Sequence, residues 1–331
     1  MRFLVFELIL HAAIVRAGTA VGKDYNRRAL ALLDRAIVRM LPAVPRPVVR
    51  RLSDRYIAGP ELDDAIAVVR DLNAVGKLAT LDVLGEEVAR REEAIAIRGE
   101  YEQAMAAIER EGLDANVSVK LTALGLEVDP ALCAESVREL VRAAAQNGRF
   151  VRIDMEDSST TDATLDLYRK LRGEGHDNVG IVLQAMLRRT LDDVLELASL
   201  SANVRICKGI YVEPPDIAYQ GKEAVRFAFV EAMAALWEGG AKVAVATHDE
   251  WLVAEALRLI EERRLGPERY EFQMLLGVRE ELAGELVRGG HTLRVYVPYG
   301  RRWYEYSLRR LQENPKIAGY LARDTLRRLR P

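Results

Sequence analysis

Cysteine, histidine and aromatic residues are scarce in this chain of 331 residues, which has two cysteines, four histidines and 6% aromatics. Cys133 and Cys207 lack the close spacing of a zinc site, and two thiols make no disulfide framework. Cys207 falls in an apolar run, the expected setting of a free buried thiol in a reducing, cytoplasmic compartment. No serine–histidine pair and no cluster of metal ligands stands out. One histidine beside one aspartate, His248-Asp249, is too few ligands for zinc, so no metal is expected. A surplus of charge is also missing. The net formal charge of −2 argues against a nucleic-acid partner or strong electrostatic attraction to a membrane. The basic ending, Arg323 to Arg330, reads as a solvated helix end. No apolar run reaches the ~18 residues of a spanning helix. No G-x-G-x-x-G follows a strand-like run, which counts against a Rossmann dinucleotide site. There is no low-complexity segment and no fixed-period repeat.

What is present begins with helices. MRFLVFELILHAAIVRA has the outline of a signal peptide, but Glu7 and His11 interrupt its apolar core. An amphipathic helix is the favoured reading. Its stripe of Phe3, Phe6, Leu10 and Ile14 would rest on the barrel, a sister subunit or a membrane surface. Residues 1–76 read as an N-terminal helical arm, with a helix at 24–41, punctuation at Pro42, Pro45 and Pro47, and another helix from about Glu61.

From Lys77 the pattern changes. Strand-like runs recur at 77–84, 116–121, 150–155, 180–185, 204–208, 243–247, 272–276 and 293–297. Most stretches between them have helical period and length. Strands alternating with helices imply parallel βα units, and eight of them over about 250 residues imply a closed (β/α)8 barrel of the TIM type. The expected division is an arm at 1–76 and a catalytic barrel at 77–331.

Parity within the strands sorts residues by face. Val117, Val119 and Leu121 oppose Ser118 and Lys120; Val151, Ile153 and Met155 oppose Arg152 and Asp154. Gln184 alternates with Ile181 and Leu183, Val204 and Ile206 oppose Arg205, and Val295 and Val297 oppose Arg294 and Tyr296. The apolar faces suit a surrounding helix ring, so Lys120, Asp154, Gln184, Arg205 and Tyr296 are expected to face the lumen. Most sit near carboxyl ends of strands, where barrel enzymes keep their chemistry. A lone Lys120–Asp154 pair could be structural. Five polar residues from five strands on one rim are hard to explain as core, since each unpaired buried charge costs several kcal/mol. After the last strand, Pro298 and Gly300 break the chain, and a helix carries Trp303, Tyr304, Tyr306 and the adjacent Arg309 and Arg310. Two arginines, a lysine and an aspartate suit an amino acid, its carboxylate on the arginines.

Taken together, VSVKLTALG (117–125), VRIDMEDS (151–158), VRICKGIYVEP (204–214), ATHD (246–249), FQMLLGV (272–278) and YVPYGRRWYEYSLRR (296–310) resemble the monofunctional bacterial proline dehydrogenases. TLDVLGE (80–86) and GIVLQ (180–184) extend the resemblance, which covers about residues 77–315. It implies a distorted (β/α)8 barrel holding FAD without a covalent bond. It also implies oxidation of L-proline to Δ1-pyrroline-5-carboxylate, with electrons passed to a membrane quinone. Carried over by motif, Arg309 and Arg310 would clamp the carboxylate, and Lys120 and Asp154 would complete the polar end of the pocket. Tyr296 and Leu276 would pack on the proline ring, Tyr211 would border the site, and Glu86 would pair with a substrate arginine and gate access. Arg205 would approach the reactive flavin nitrogen. Met155, Gln184, Lys208, Gly209, Ile210, Thr247 and His248 would contact FAD. Ile210 stands where the family commonly has alanine, and Leu276 where tyrosine or histidine is common.

A quinone acceptor implies transient contact with the inner face of the cell membrane; association into homo-oligomers is compatible with everything above. Two rivals stay open. One is a flavin-free barrel using Lys120 or Lys208 as a Schiff-base nucleophile. The other is a non-catalytic barrel that binds an amino acid. A flavin spectrum separates the first, and reduction of that flavin by proline separates the second.

Overall fold

The computed structural model describes residues 49–50, 53–86, 88–197 and 200–313, without the side chains of 309–313. The stripe at Phe3 to Ile14, the helix at 24–41 and the ending at Arg323 to Arg330 lie outside the described residues. In chain order the elements open with α1 (Leu62–Ala74), β1 (Leu78–Val83), α2 (Arg91–Arg110), β2 (Ala115–Val119), α3 (Pro130–Gln146) and β3 (Val151–Ile153). They continue with α4 (Thr161–Gly173), β4 (Val179–Gln184), α5 (Thr190–Leu197), β5 (Asn203–Cys207), α6 (Lys222–Glu238) and β6 (Lys242–Ala246). Then come α7 (Glu250–Glu262), β7 (Tyr270–Leu275), α8 (Glu280–Arg288), β8 (Leu293–Tyr299) and α9 (Trp303–Glu313). The strands form a closed barrel in sequence order, with β1 and β8 paired and all pairs parallel. This is the expected (β/α)8 fold. Among the described residues no helix is long and apolar enough to cross a membrane.

The apolar shell lies between strands and helices. Val117, Val119, Ile153, Ile181, Val204, Ile206 and Val297 are buried there, each on the face that alternation assigned to the helix ring, and Val243 and Phe272 are buried with them. Helices meet it with residues at helical spacing, as with Ala94, Ile97, Tyr101, Ala104 and Ile108 of α2. Asp129 caps α3, accepting from the Ala131 and Leu132 amides at 3.1 and 3.0 Å, and Pro130 occupies the first turn.

The chain divides into two compact units, one of them Arg55–Arg301. This cut differs from a boundary at 76–77. α1 buries Ala65, Ile66 and Val69 and packs on β1 and β8, so an amphipathic helix expected in the arm belongs with the barrel. In the other unit, Ser53 Oγ lies 2.8 Å from the Val49 carbonyl and 2.6 Å from Ser307 Oγ on α9, and the Arg50 guanidinium lies 5.9 Å from the Trp303 ring.

The lumen is polar, unlike the branched aliphatic filling usual in such barrels. Side-chain bonds cross it. Arg152 of β3 donates to the carbonyls of Ile181 and Asn203 at 3.0 and 2.7 Å, and to Asn203 Oδ1 at 2.6 Å. Gly180 of β4 makes room for that guanidinium: a Cβ there would meet Arg152 Nη1, the Asn203 carbonyl and the Phe150 ring, each at 2.5 Å. Arg294 of β8 reaches Glu271 on β7 at 3.0 Å and the Ala79 carbonyl on β1 at 2.8 Å. Among the described bonds, β6 alone joins this web with no side chain. Its residues in register with the inward Arg205, Glu271 and Gln273 are Ala244 and Ala246.

Candidate active site

Lys120 and Asp154 stand one residue beyond the carboxyl ends of β2 and β3. Lys120 Nζ lies 2.6 Å from Asp82 Oδ1, 3.4 Å from Glu86 Oε1 and 3.6 Å from Asp154 Oδ2. It also donates to Tyr296 Oη at 3.1 Å, and that hydroxyl donates to Asp154 Oδ2 at 2.7 Å. Arg205 Nη1 donates to Asp154 Oδ1 at 2.6 Å, and Ser118 Oγ donates to the same oxygen at 2.5 Å. The Tyr296 ring lies beside both cations, 5.2 Å from the Arg205 guanidinium and 5.7 Å from Lys120 Nζ. Four of the five residues read as lumen-facing thus meet in one cluster. The fifth, Gln184, is buried and donates to the Glu156 carbonyl at 2.7 Å.

Electrostatics follow from burial and pairing. Burial opposes the Lys120 ammonium, but Asp82, Tyr296 and Asp154 outweigh it and hold Lys120 well above its ordinary value. Burial also opposes the Asp154 carboxylate, and there Arg205 and Lys120 win, holding it below the usual range. Both groups are therefore charged at neutral pH. Arg205 is 6% exposed, and its Nη2 has no hydrogen-bond partner among the described residues.

A second group lies on the loops after β5 and β6, joined by Arg226 of α6. Lys208 Nζ contacts Asp249 Oδ2 at 2.5 Å, and Arg226 Nε and Nη2 contact the same carboxylate at 2.9 and 2.7 Å. Asp249 also caps α7. Its amide donates to Thr247 Oγ1 at 3.2 Å. His248 Nε2 accepts the Leu275 amide at 2.9 Å, which places the ring proton on Nδ1. Burial, with Arg279 and Lys208 nearby, lowers His248 to about 4, so the ring is neutral at physiological pH. Gly209 has φ of +97°, and a Cβ there would meet Met186 at 2.5 Å, so only glycine fits. Met155 is buried, Ile210 is exposed, and the Leu276 amide donates to the Tyr296 carbonyl at 3.0 Å. Tyr211 lines a cavity of about 220 Å³ with Met186, Glu213 and Tyr219. The side chains of Arg309 and Arg310 lie outside the described residues.

Asp82, Gln273 and Glu271 were not among the expected site residues. Each could have been found by parity: Thr80 and Asp82 alternate with Ala79, Leu81 and Val83, and Glu271 and Gln273 alternate with Phe272 and Met274. Asp249 closes the ATHD segment, in which the resemblance assigns roles to Thr247 and His248 alone.

A closed parallel barrel with a buried charged cluster at its carboxyl rim defines an enzyme of the (β/α)8 class. The family model described as proline dehydrogenase matches residues 65–323. Proline dehydrogenase 1 of Bacillus subtilis subsp. natto is 36% identical over 274 residues, covering 83% of this chain and 90% of that protein. Proline dehydrogenase of Deinococcus radiodurans is 33% identical over 311 residues, covering 93% of this chain and 99% of that protein. A solved structure of proline utilization A from Bdellovibrio bacteriovorus, inactivated by N-propargylglycine, superposes with a TM-score of 0.73 at 23% identity. It covers 85% of this chain and 36% of that one, and it bears on the fold alone. The chain belongs to the proline dehydrogenase family and is an oxidoreductase of that family.

Proposed function

We propose that the protein catalyses the first step of proline breakdown, oxidising L-proline to Δ1-pyrroline-5-carboxylate with bound FAD and passing the electrons to a membrane quinone. The observation that carries this is the Lys120–Asp154–Arg205–Tyr296 cluster: buried, charged, and on the carboxyl rim of a barrel in this family.

The residues fit a flavin. Arg205 Nη2 is a buried donor with no partner among the described residues, and Gly209 keeps the β5 loop clear of a side chain. Met155, Gln184, Arg205, Lys208, Gly209, Ile210, Thr247 and His248 would hold FAD. When bound, FAD would supply the two-electron acceptor, with hydride transfer from proline C5 to flavin N5 as the chemistry it offers.

The protein's own part is binding and charge. Proline carries a carboxylate and a secondary ammonium. Arg309 and Arg310 bind the carboxylate through paired hydrogen bonds. Tyr296, Leu276 and Tyr211 give the ring apolar surface, and Glu86 gates the pocket beside Lys120. Asp154 is held low by Arg205 and Lys120, which makes it a poor proton acceptor. It fixes those two cations and the Tyr296 hydroxyl in place. Lys120, ringed by carboxylates and held protonated, is unsuited to Schiff-base attack. Quinone reduction would take place at the membrane surface through peripheral contact.

The test is an anaerobic titration of the purified full-length protein with L-proline. A flavin spectrum that bleaches with about one equivalent per site is expected. A protein without flavin, or a flavin left oxidised by excess proline, would sink the proposal.

A further inference from the structure

Arg205 enters the lumen from β5 and is held from two sides. On one side Nη1 meets Asp154 at 2.6 Å and Ser118 at 3.4 Å. On the other, Nε donates to Gln273 Oε1 on β7 at 2.5 Å. A guanidinium is planar, so two anchored nitrogens fix its plane and leave Nη2 as its remaining donor. Gln273, Glu271 and Arg205 are all more than nine-tenths buried.

The direction of the Gln273 amide is not free. Its Nε2 contacts Glu271 Oε1. Burial opposes the Glu271 carboxylate, but Arg294 outweighs it, with Gln273 adding to the effect, and holds it below the usual range. An ionised carboxylate only accepts, so Nε2 must face it and Oε1 must face Arg205. Arg294 closes the chain with Nε and Nη2 on Glu271 at 3.0 and 3.3 Å and Nη1 on the Ala79 carbonyl at 2.8 Å. The order runs from Arg294 through Glu271 and Gln273 to Arg205 and then Asp154.

We propose that Gln273 is a positioning residue: its amide, oriented from the barrel floor by Glu271 and Arg294, fixes the Arg205 guanidinium so that Nη2 is the donor presented to the bound flavin. The identity of what Nη2 meets rests on the proposed flavin chemistry; the relay itself does not. Glutamine suits the position because it accepts from a cation and donates to an anion at once while adding no charge. Methionine of similar volume does neither. Glutamate accepts from Arg205 but places a second carboxylate against Glu271.

Two measurements on the full-length protein decide it. The first is a double-mutant cycle of denaturant unfolding with Gln273→Met, Arg205→Met and both together. Gln273→Met should lower the folding constant at least tenfold in the wild-type background, and several-fold less where Arg205 is already methionine. Equal losses in both backgrounds would make Gln273 ordinary core and overturn the relay. The second is the flavin midpoint potential with steady-state kinetics. A positive charge beside the flavin favours its anionic reduced form, so Arg205→Met should lower the potential. Gln273→Met should move it the same way by a smaller amount, with flavin content near wild type. kcat should fall at least tenfold while KM for proline changes less than threefold. Should Gln273→Met not fold, Gln273→Leu, which likewise neither accepts from Arg205 nor donates to Glu271 and adds no charge, carries the same test. A wild-type potential and kcat in the variant that folds would overturn the proposal. If the wild-type protein holds no flavin, the functional reading fails and the cycle alone decides the relay.

Discussion

Lys120 has three carboxylates within 4 Å, and the nearest, Asp82, is the deepest, being fully buried. Burial alone would push the Lys120 ammonium toward its neutral form, and Asp82 is the strongest influence against it. The folded-state pKa lies above the unfolded one. The stability it contributes is therefore complete below ~10.4, and it is lost as pH rises through the higher folded value. Asp82→Asn keeps the shape and removes the charge, so that folded value should drop. The alkaline limb of kcat/KM should then move to lower pH, and unfolding should be easier by ~3 kcal/mol, at the low end for a broken buried pair because Glu86 and Asp154 remain. An alkaline limb unmoved from wild type would show that Asp82 does not govern Lys120. At this scale the sequence was legible wherever a strand alternated cleanly, as at Ser118–Lys120 and Arg152–Asp154. It was not legible for partner choice. Asp154 reads as Lys120's counterion, yet its nearer cation is Arg205 at 2.6 Å, and Lys120's nearer anion is Asp82. Cross-barrel distances depend on strand tilt and closure, which parity does not encode.

Among elements, all eight strands are found where alternation placed them, and their ends differ for a physical reason. Runs expected at 116–121 and 150–155 stop pairing at Val119 and Ile153. Lys120, Leu121, Asp154 and Met155 still alternate in character, because residues just past a strand keep facing lumen or shell. Lys120 and Asp154 among them form part of the candidate site, just past the point where the ladder ends. β4 shows a constraint of another kind, where Gly180 is the space that Arg152 fills. Nothing in GIVLQ marks that glycine as a packing partner of an arginine on the next strand. Gly180→Ala should cost at least the ~1–3 kcal/mol typical of overpacking, since two of the three atoms in the way are backbone oxygen and a ring carbon. Denaturant unfolding would show it as a lower midpoint with an unchanged slope. A wild-type midpoint would mean that Arg152 moves aside freely.

For the whole molecule, Arg55–Arg301 is a complete barrel, while Arg309 and Arg310 belong to the chain that follows it. Their assignment to the substrate carboxylate rests on the YVPYGRRWYEYSLRR resemblance, and proline is small enough that few other contacts can position it. Truncating one partner of a buried charge pair costs ~2–5 kcal/mol, so under that assignment Arg309→Met or Arg310→Met should lower kcat/KM about 30- to 5000-fold. The sharper comparison is with pyrrolidine, which lacks the carboxylate. The double variant should lose most of the wild-type preference for proline over pyrrolidine with its flavin content intact. A preserved preference would place the carboxylate elsewhere. The web of lumen bonds also bears on how the ring opens. Seven strands are cross-tied in the lumen by side chains, so parting any of them strips partners from buried charges; β6, with Ala244 and Ala246 inward, has only backbone bonds to its neighbours and the shell packing of Val243 and Val245. Native-state fluctuations should therefore reach the Val243 to Val245 amides first. Deuterium uptake there should precede that of Val117 to Val119 or Val204 to Ile206, and slower exchange in β6 would mean that the barrel opens along some other seam.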